Sequence, residues 1–222
     1  MIECLQLRKH YGLECELFRG ATLRVRKGEF AVVSGPSGSG KTVLLRMLLA
    51  LETPDGGQVL FQGKNIHAIP RRHLSSLRRK LGIVAQNGRL VPEWTLFDNV
   101  ALPLVLAGKD RWLIKKKVFQ TLESLKLHQR ANALCKGMDA SESKRAEIAR
   151  AAVRNPLVLL ADEPLEGLEP GERSLVVALI AELNVGGTTC MAFSRDPSEL
   201  LTVPGVRRAQ IVHGRFQECL TA

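Results

Sequence analysis

Eight consecutive residues, Gly35, Pro36, Ser37, Gly38, Ser39, Gly40, Lys41 and Thr42, combine the types needed to hold a chain of phosphates. The glycines allow backbone N–H groups to turn inward and approach phosphate oxygens. A helix opening near Lys41 would add its positive end. Lys41 can then reach the β- and γ-phosphates of a nucleotide, and the Thr42 hydroxyl can coordinate Mg²⁺. A glycine-rich turn with no ligand is the bland alternative. It does not account for the flanks, an apolar strand at Phe30–Val33 and an apolar helix at Val43–Ala50, which are the context this loop requires. The loop therefore predicts ATP binding.

A second group completes the chemistry. Leu157–Ala161 reads as a buried strand running into Asp162 and Glu163. Asp162 at a strand end is placed to hold Mg²⁺, directly or through water. Glu163 beside it can polarise a water for in-line attack on a γ-phosphate. Gln86 follows another short apolar strand, Leu81–Ala85, and can touch Mg²⁺ or that water and sense a neighbouring subunit. On its own it would read as a surface glutamine. Tyr11 precedes a glycine, and its ring could stack on adenine or simply fill a loop.

The elements that must position these groups follow from the hydropathy pattern. Residues 20–33 alternate and then become continuously apolar, giving a half-exposed strand, a turn at Lys27–Gly28 and a buried strand. Residues 54–63 read as a turn and a hairpin strand. From about 95 to 155 the pattern is helical, with Leu113, Val118, Leu122, Leu125 and Leu127 on one face of a long basic helix. Leu175–Leu183 is helical and Thr188–Phe193 is a strand. Strands alternating with helices around a helical block give an α/β fold with a mainly parallel sheet.

Composition narrows the partners. The 222 residues carry 32 Lys+Arg against 22 Asp+Glu, a net charge of +10. That excess points to an anionic partner: nucleotide, nucleic acid or an acidic membrane surface. It is concentrated in Arg71, Arg72, His73, Arg78, Arg79 and Lys80, and in Lys109, Arg111 and Lys115–Lys117, which could equally be solvated helix faces. No apolar run is long enough to span a bilayer. Met1–Arg8 lacks a signal-peptide layout, so a cytoplasmic location is expected. The five cysteines, Cys4, Cys15, Cys135, Cys190 and Cys219, show no CxxC spacing and read as reduced thiols.

The order Tyr11, the loop at 35–42, Gln86, Ile148–Ala151, Leu159–Pro164 and Leu168-Glu169-Pro170 resembles the ATP-binding subunits of ABC transporters along essentially the whole chain. Trp94–Gly108 looks most like the group containing the cell-division ATPase FtsE and the lipoprotein-release and macrolide-export ATPases. The resemblance implies a P-loop NTPase with a RecA-like core at about 1–87 and 156–222, an antiparallel β subdomain and a helical subdomain at about 88–155. It implies a homodimer or heterodimer enclosing two ATP molecules, with an integral, permease-like (FtsX-like) membrane partner docked near Gln86. The chain would then sit peripherally on the cytoplasmic face of the membrane. A nucleotide-responsive scaffold is the first alternative, and a lipoprotein or macrolide exporter another. A DNA-associated ATPase is a further one, against which the short chain argues, since such relatives carry long inserted arms.

Two departures stand out against that family. Its Leu-Ser-Gly-Gly-Gln stretch, which offers N–H groups to the γ-phosphate of the opposite subunit, falls on Met138–Glu142. Asp139 replaces the serine, and Ala140 and Ser141 replace the glycines. Asp139 with Glu142 has the spacing of a capping box, so the helix is stabilised while its anion site is compromised. Arg195 stands where the family usually has a histidine that orients the attacking water. Arginine has no acceptor to copy that role, but it could pair with the γ-phosphate. Glu169 for the usual aspartate is a milder change. Binding of ATP with weak or altered hydrolysis is the expectation.

Overall fold

The computed structural model describes residues 1–11, 15–86 and 88–219. In chain order the elements are β1 (Ile2–Tyr11), β2 (Cys15–Val25), β3 (Phe30–Ser34), α1 (Lys41–Leu48), β4 (Gly56–Phe61), β5 (Lys64–Asn65), α2 (Arg71–Arg78) and β6 (Leu81–Val84). There follow α3 (Leu96–Val105), α4 (Arg111–Ser124), α5 (Ala140–Ala152), β7 (Val158–Asp162), α6 (Pro170–Val185), β8 (Thr189–Ser194), β9 (Arg207–Val212) and β10 (Arg215–Cys219).

Two sheets result. The smaller has the order β2-β1-β4-β5 and is antiparallel throughout. The larger has the order β10-β9-β3-β8-β7-β6, with only β10 antiparallel to its neighbour. Every residue of β3, β7 and β8 is buried, which is why those segments read as unbroken apolar runs.

The pleat divides these strands between two cores. Phe30, Val32, Leu159, Ala161, Cys190 and Ala192 face α3 to α6. Ala31, Val33, Val158, Leu160, Met191 and Phe193 face α1 and the smaller sheet. The central sheet is thus a middle layer. Fully burying one such branched or aromatic side chain contributes roughly 1.5–3 kcal/mol, so both faces fix its place strongly.

The helical stretch differs from its sequence pattern in one respect. α4 ends at Ser124, so Leu125 and Leu127 are buried beyond it rather than on it. Its inward seam is Ile114, Val118 and Leu122, at strict i, i+4, i+8 spacing, and Leu113 is only half-buried. Asp110 caps the helix by accepting from Leu113 N–H at 2.9 Å, which sets its phase and turns Ile114 inward. Cys4, Cys135 and Cys190 are buried free thiols, and burial pushes those of Cys4 and Cys190 up to about 12. The side chains of Cys15 and Cys219 lie outside the description.

Candidate functional site

Four adjacent parallel strands, β3, β8, β7 and β6, end at one edge of the central sheet. Ser34 is level with Ser194, and Asp162 with Phe193. The residues that leave these ends are the P-loop, Arg195, Glu163 and, two positions after β6, Gln86. Ligands of open α/β sheets bind at this carboxyl edge. Here a cavity of about 300 Å³ is lined by Ser37, Gly38, Gly40, Lys41, Thr42, Gln86, Asp162, Glu163 and Arg195, with Leu17 and Val43. Pro36 and Ser39 line a neighbouring cavity of about 310 Å³ with Glu16 and His213.

The loop is built to leave donors free. Gly40, the residue before α1, has φ 98, and no side chain caps the helix. A Cβ there would lie 2.9 Å from Cζ of Phe18, so both the backbone angle and the space require glycine. By contrast α3, α4 and α5 are capped by Thr95, Asp110 and Asp139. The first turn of α1 therefore keeps N–H groups and a positive dipole end for an anion.

Lys41 is buried and its ammonium donates to the carbonyls of Gly35 at 2.6 Å and Pro36 at 3.0 Å. Burial pulls its pKa below the ordinary lysine value, while Glu163 and Asp162 oppose the fall. Thr42 Oγ1 donates to Asp162 Oδ2 at 2.9 Å. The other oxygen of Asp162 is buried without a hydrogen-bond partner. Burial pushes the Asp162 carboxyl up, against the Thr42 bond. A hydroxyl and an unsatisfied carboxylate oxygen in one cavity are hard donors that fit Mg²⁺.

Glu163 sits in the left-handed region, φ 46, held there by its N–H donating to Phe193 O at 2.8 Å. Its carboxylate accepts from Arg195 N–H at 3.0 Å and lies 3.2 Å from the Ser194 hydroxyl. A strained backbone anchored by a neighbouring strand marks a side chain whose aim matters.

Residues 18–166 match the ABC transporter family. The chain belongs to that family. Among curated ABC proteins it is similar to the cell division ATP-binding protein FtsE of Bacillus subtilis, 35% identical over 85% of this chain and 83% of that one. The FtsE of Mycobacterium tuberculosis is 40% identical over 78% of this chain and 76% of its own length. Of solved structures, the dimeric bacterial ABC transporter cassette MJ0796 superposes with a TM-score of 0.89 at 27% identity, covering 98% of this chain and 97% of that one. The same cassette in a post-hydrolysis state bound to ADP and Pi gives 0.87. The P-loop ABC fold read from the sequence is the fold found.

Not every residue singled out within this ABC cassette lies in the cavity. Tyr11, at the end of β1, does not line it. Its hydroxyl donates to Glu52, and Lys9 Nζ sits 5.4 Å from its ring. Those partners place the hydroxyl beside Glu52, which follows α1 in the chain. Asp139 and Ser141 do not line the cavity of their own chain either. Asp139 Oδ1 accepts from Glu142 N–H at 2.7 Å, and Glu142 accepts from Asp139 N–H at 3.3 Å, the reciprocal cap expected from their spacing. Ser141 turns its hydroxyl inward beside Glu172, where it helps hold that carboxyl below its ordinary value.

The structure adds residues that the motifs did not reveal. Arg195 pairs with Glu163 at 3.4 Å and also with Glu166. Glu166 in turn accepts from Gln86 Nε2 at 3.5 Å. The only sequence signal for Glu166 is an extra carboxylate in the turn after Glu163.

Proposed function

We propose that this chain is the ATP-binding subunit of an ABC-type membrane complex of the cell-division, FtsE-like kind. It binds ATP with Mg²⁺ at the P-loop, hydrolyses it weakly and couples both events to an integral membrane partner. The observation that carries the reading is the convergence of an uncapped helix start, Lys41, Thr42 and a half-satisfied Asp162 in one cavity.

Lys41 and the first N–H groups of α1 hold the phosphates, and Thr42 and Asp162 are the residues that would hold the metal. Mg²⁺, when bound there, would supply positive charge that offsets the phosphate charge. Glu163 orients and polarises the attacking water from its anchored backbone. Gln86 reaches the same cavity from β6. ATP-dependent pairing of two such chains is supported by the dimeric form of the similar MJ0796 cassette.

A membrane partner is supported by an apolar groove on the helical block. It is lined by Trp94, Phe97, Leu102, Val105 and Ile114, with Arg111 and Lys115 at its rim. Val105 is 55% exposed and Trp94 is 42% exposed. Among the described residues no helix is long and apolar enough to cross a membrane. A peripheral position through that partner, on the cytoplasmic face, follows from the reading.

Nucleotide binding and turnover, measured with the membrane partner co-purified, test the proposal. Lys41→Ala should abolish binding, and Glu163→Gln should retain binding and abolish turnover. Binding that survives Lys41→Ala would overturn it. The capped Asp139 and the engaged Glu163 favour a second reading, a nucleotide-responsive scaffold. Turnover that disappears with Glu163→Gln rules that out.

A further inference from the structure

Glu163 and Arg195 are shared by two cavities. On one side lies the P-loop cavity with Lys41, Thr42, Gln86 and Asp162. On the other lies a second space of about 300 Å³, lined among others by Glu166, Arg173, Asp196 and Glu199. Glu166 belongs only to the second space, yet both Arg195 and Gln86 donate to it. The Arg195 side chain is 50% exposed and that of Glu166 42%. An ion pair this wet is held loosely and is readily exchanged for a stronger anion. A terminal phosphate is such an anion, because it offers several charged acceptor oxygens to a planar guanidinium.

We propose that Glu166 and Arg195 form a latch through which the chain distinguishes ATP from ADP. With the latch closed, Glu166 holds the guanidinium and the side chain of Gln86, and Arg195 lies against Glu163. The terminal phosphate of a nucleoside triphosphate draws the Arg195 guanidinium away from Glu166 and from the Glu163 carboxylate, which then faces the P-loop cavity without that counter-charge, while Gln86 stays on the other oxygen of Glu166. A diphosphate presents nothing at that position, and the latch stays shut. Arg195 is then the group that reads the third phosphate. Glu166 is a positioning residue that sets the strength of the signal needed. The inference rests on the ATP site proposed above.

The test compares the affinity of the full chain, with Mg²⁺, for ADP and for the non-hydrolysable β,γ-imido analogue of ATP, by calorimetry. Glu166→Gln should raise the analogue-to-ADP affinity ratio about threefold by releasing Arg195. Arg195→Gln should lower that ratio about tenfold, and Arg195→Lys should recover part of it. The double variant should behave as Arg195→Gln alone, since no guanidinium remains for Glu166 to hold back. A purely structural role for either residue would change both affinities together and leave the ratio fixed. An unchanged ratio in Glu166→Gln, or additive effects in the double variant, would overturn the latch while leaving the ATP site standing. Failure of the unaltered chain to bind either nucleotide would overturn the ATP site itself.

Discussion

Thr42 and Asp162, 120 residues apart in the chain, share a hydrogen bond of 2.9 Å that satisfies one carboxylate oxygen and leaves the other buried and alone. A divalent cation would meet that oxygen, and favour the ionised carboxyl that burial now opposes. Mg²⁺ should therefore strengthen ATP binding to the unaltered chain. Asp162→Asn should remove that gain, on the order of tenfold or more, with affinity in the absence of metal little changed. Titrations with and without Mg²⁺ decide it, and a gain that survives the substitution would show that Asp162 holds no metal.

Asp139 caps α5 at the point where the family offers bare N–H groups. Asp139→Ala should cost about 1 kcal/mol, and Asp139→Ser only a few tenths, because serine caps almost as well. The alanine change should lower Tm by about 2–4 °C in a chain of this size. Removing the carboxylate should also ease the approach of a second chain's phosphate. One unit charge at about 4 Å in water is worth about 1 kcal/mol, or roughly fivefold in ATP-dependent dimerisation of Asp139→Ser. Sedimentation with ATP measures it, and no gain would mean that the carboxylate stands clear of the interface.

Asn99 is 1% exposed and satisfies its side chain fully. Its Oδ1 accepts from Val91 N–H at 2.7 Å, and its Nδ2 donates to the carbonyls of Val91 and Thr95, each at 3.0 Å. It thereby ties the segment after Gln86 to α3. Asn99→Ala should destabilise the chain by about 2 kcal/mol, because buried backbone groups lose their partners. Thermal melting should show a fall of about 4–8 °C.

Glu147 lies on α5 with its carboxylate packed so closely on Gly88 that a Cβ there would meet Oε2 at 2.5 Å. Burial raises its pKa, with Lys144 and Arg150 opposing. Below the ordinary carboxylate value, about pH 4, the group is protonated folded or unfolded and costs nothing. Stability is then lost as pH rises from there through the higher folded value. Glu147→Gln should accordingly gain on the order of 1 kcal/mol at neutral pH and little near pH 4. Melts across that range check the sign.

What could be read without coordinates was what the chain writes locally. The P-loop is contiguous, Asp162 and Glu163 follow an unbroken apolar run, and the Asp139–Glu142 cap is a relation between residues three apart. Arg195 was visible as a substitution, but its two carboxylate partners were not, since Glu163 lies on another strand's end. Glu166 was missed for the same reason, with Gln86 80 residues distant. Asn99 was hidden inside an apolar helix. The α4 seam was misplaced by one residue because Leu113 and Ile114 are adjacent and both apolar. Only the cap at Asp110 sets which of them turns inward. Tyr11 was visible at its position in the chain, but the bond from its hydroxyl to Glu52, 41 residues on, was not.

The central sheet also dictates when the site can come into being. Ala31 pairs in parallel with Met191 on one side and with Arg207 on the other. The strand that launches the P-loop is therefore flanked by β8 and β9, strands synthesised long after it. Non-local parallel pairings of this kind form slowly, because a long loop must close before any contact offsets its entropy. A nascent chain on the ribosome carries Lys41 and Thr42 early but has no edge on which to arrange them. The ability to grip phosphate should appear all at once, when β8 and β9 dock beside a strand made long before.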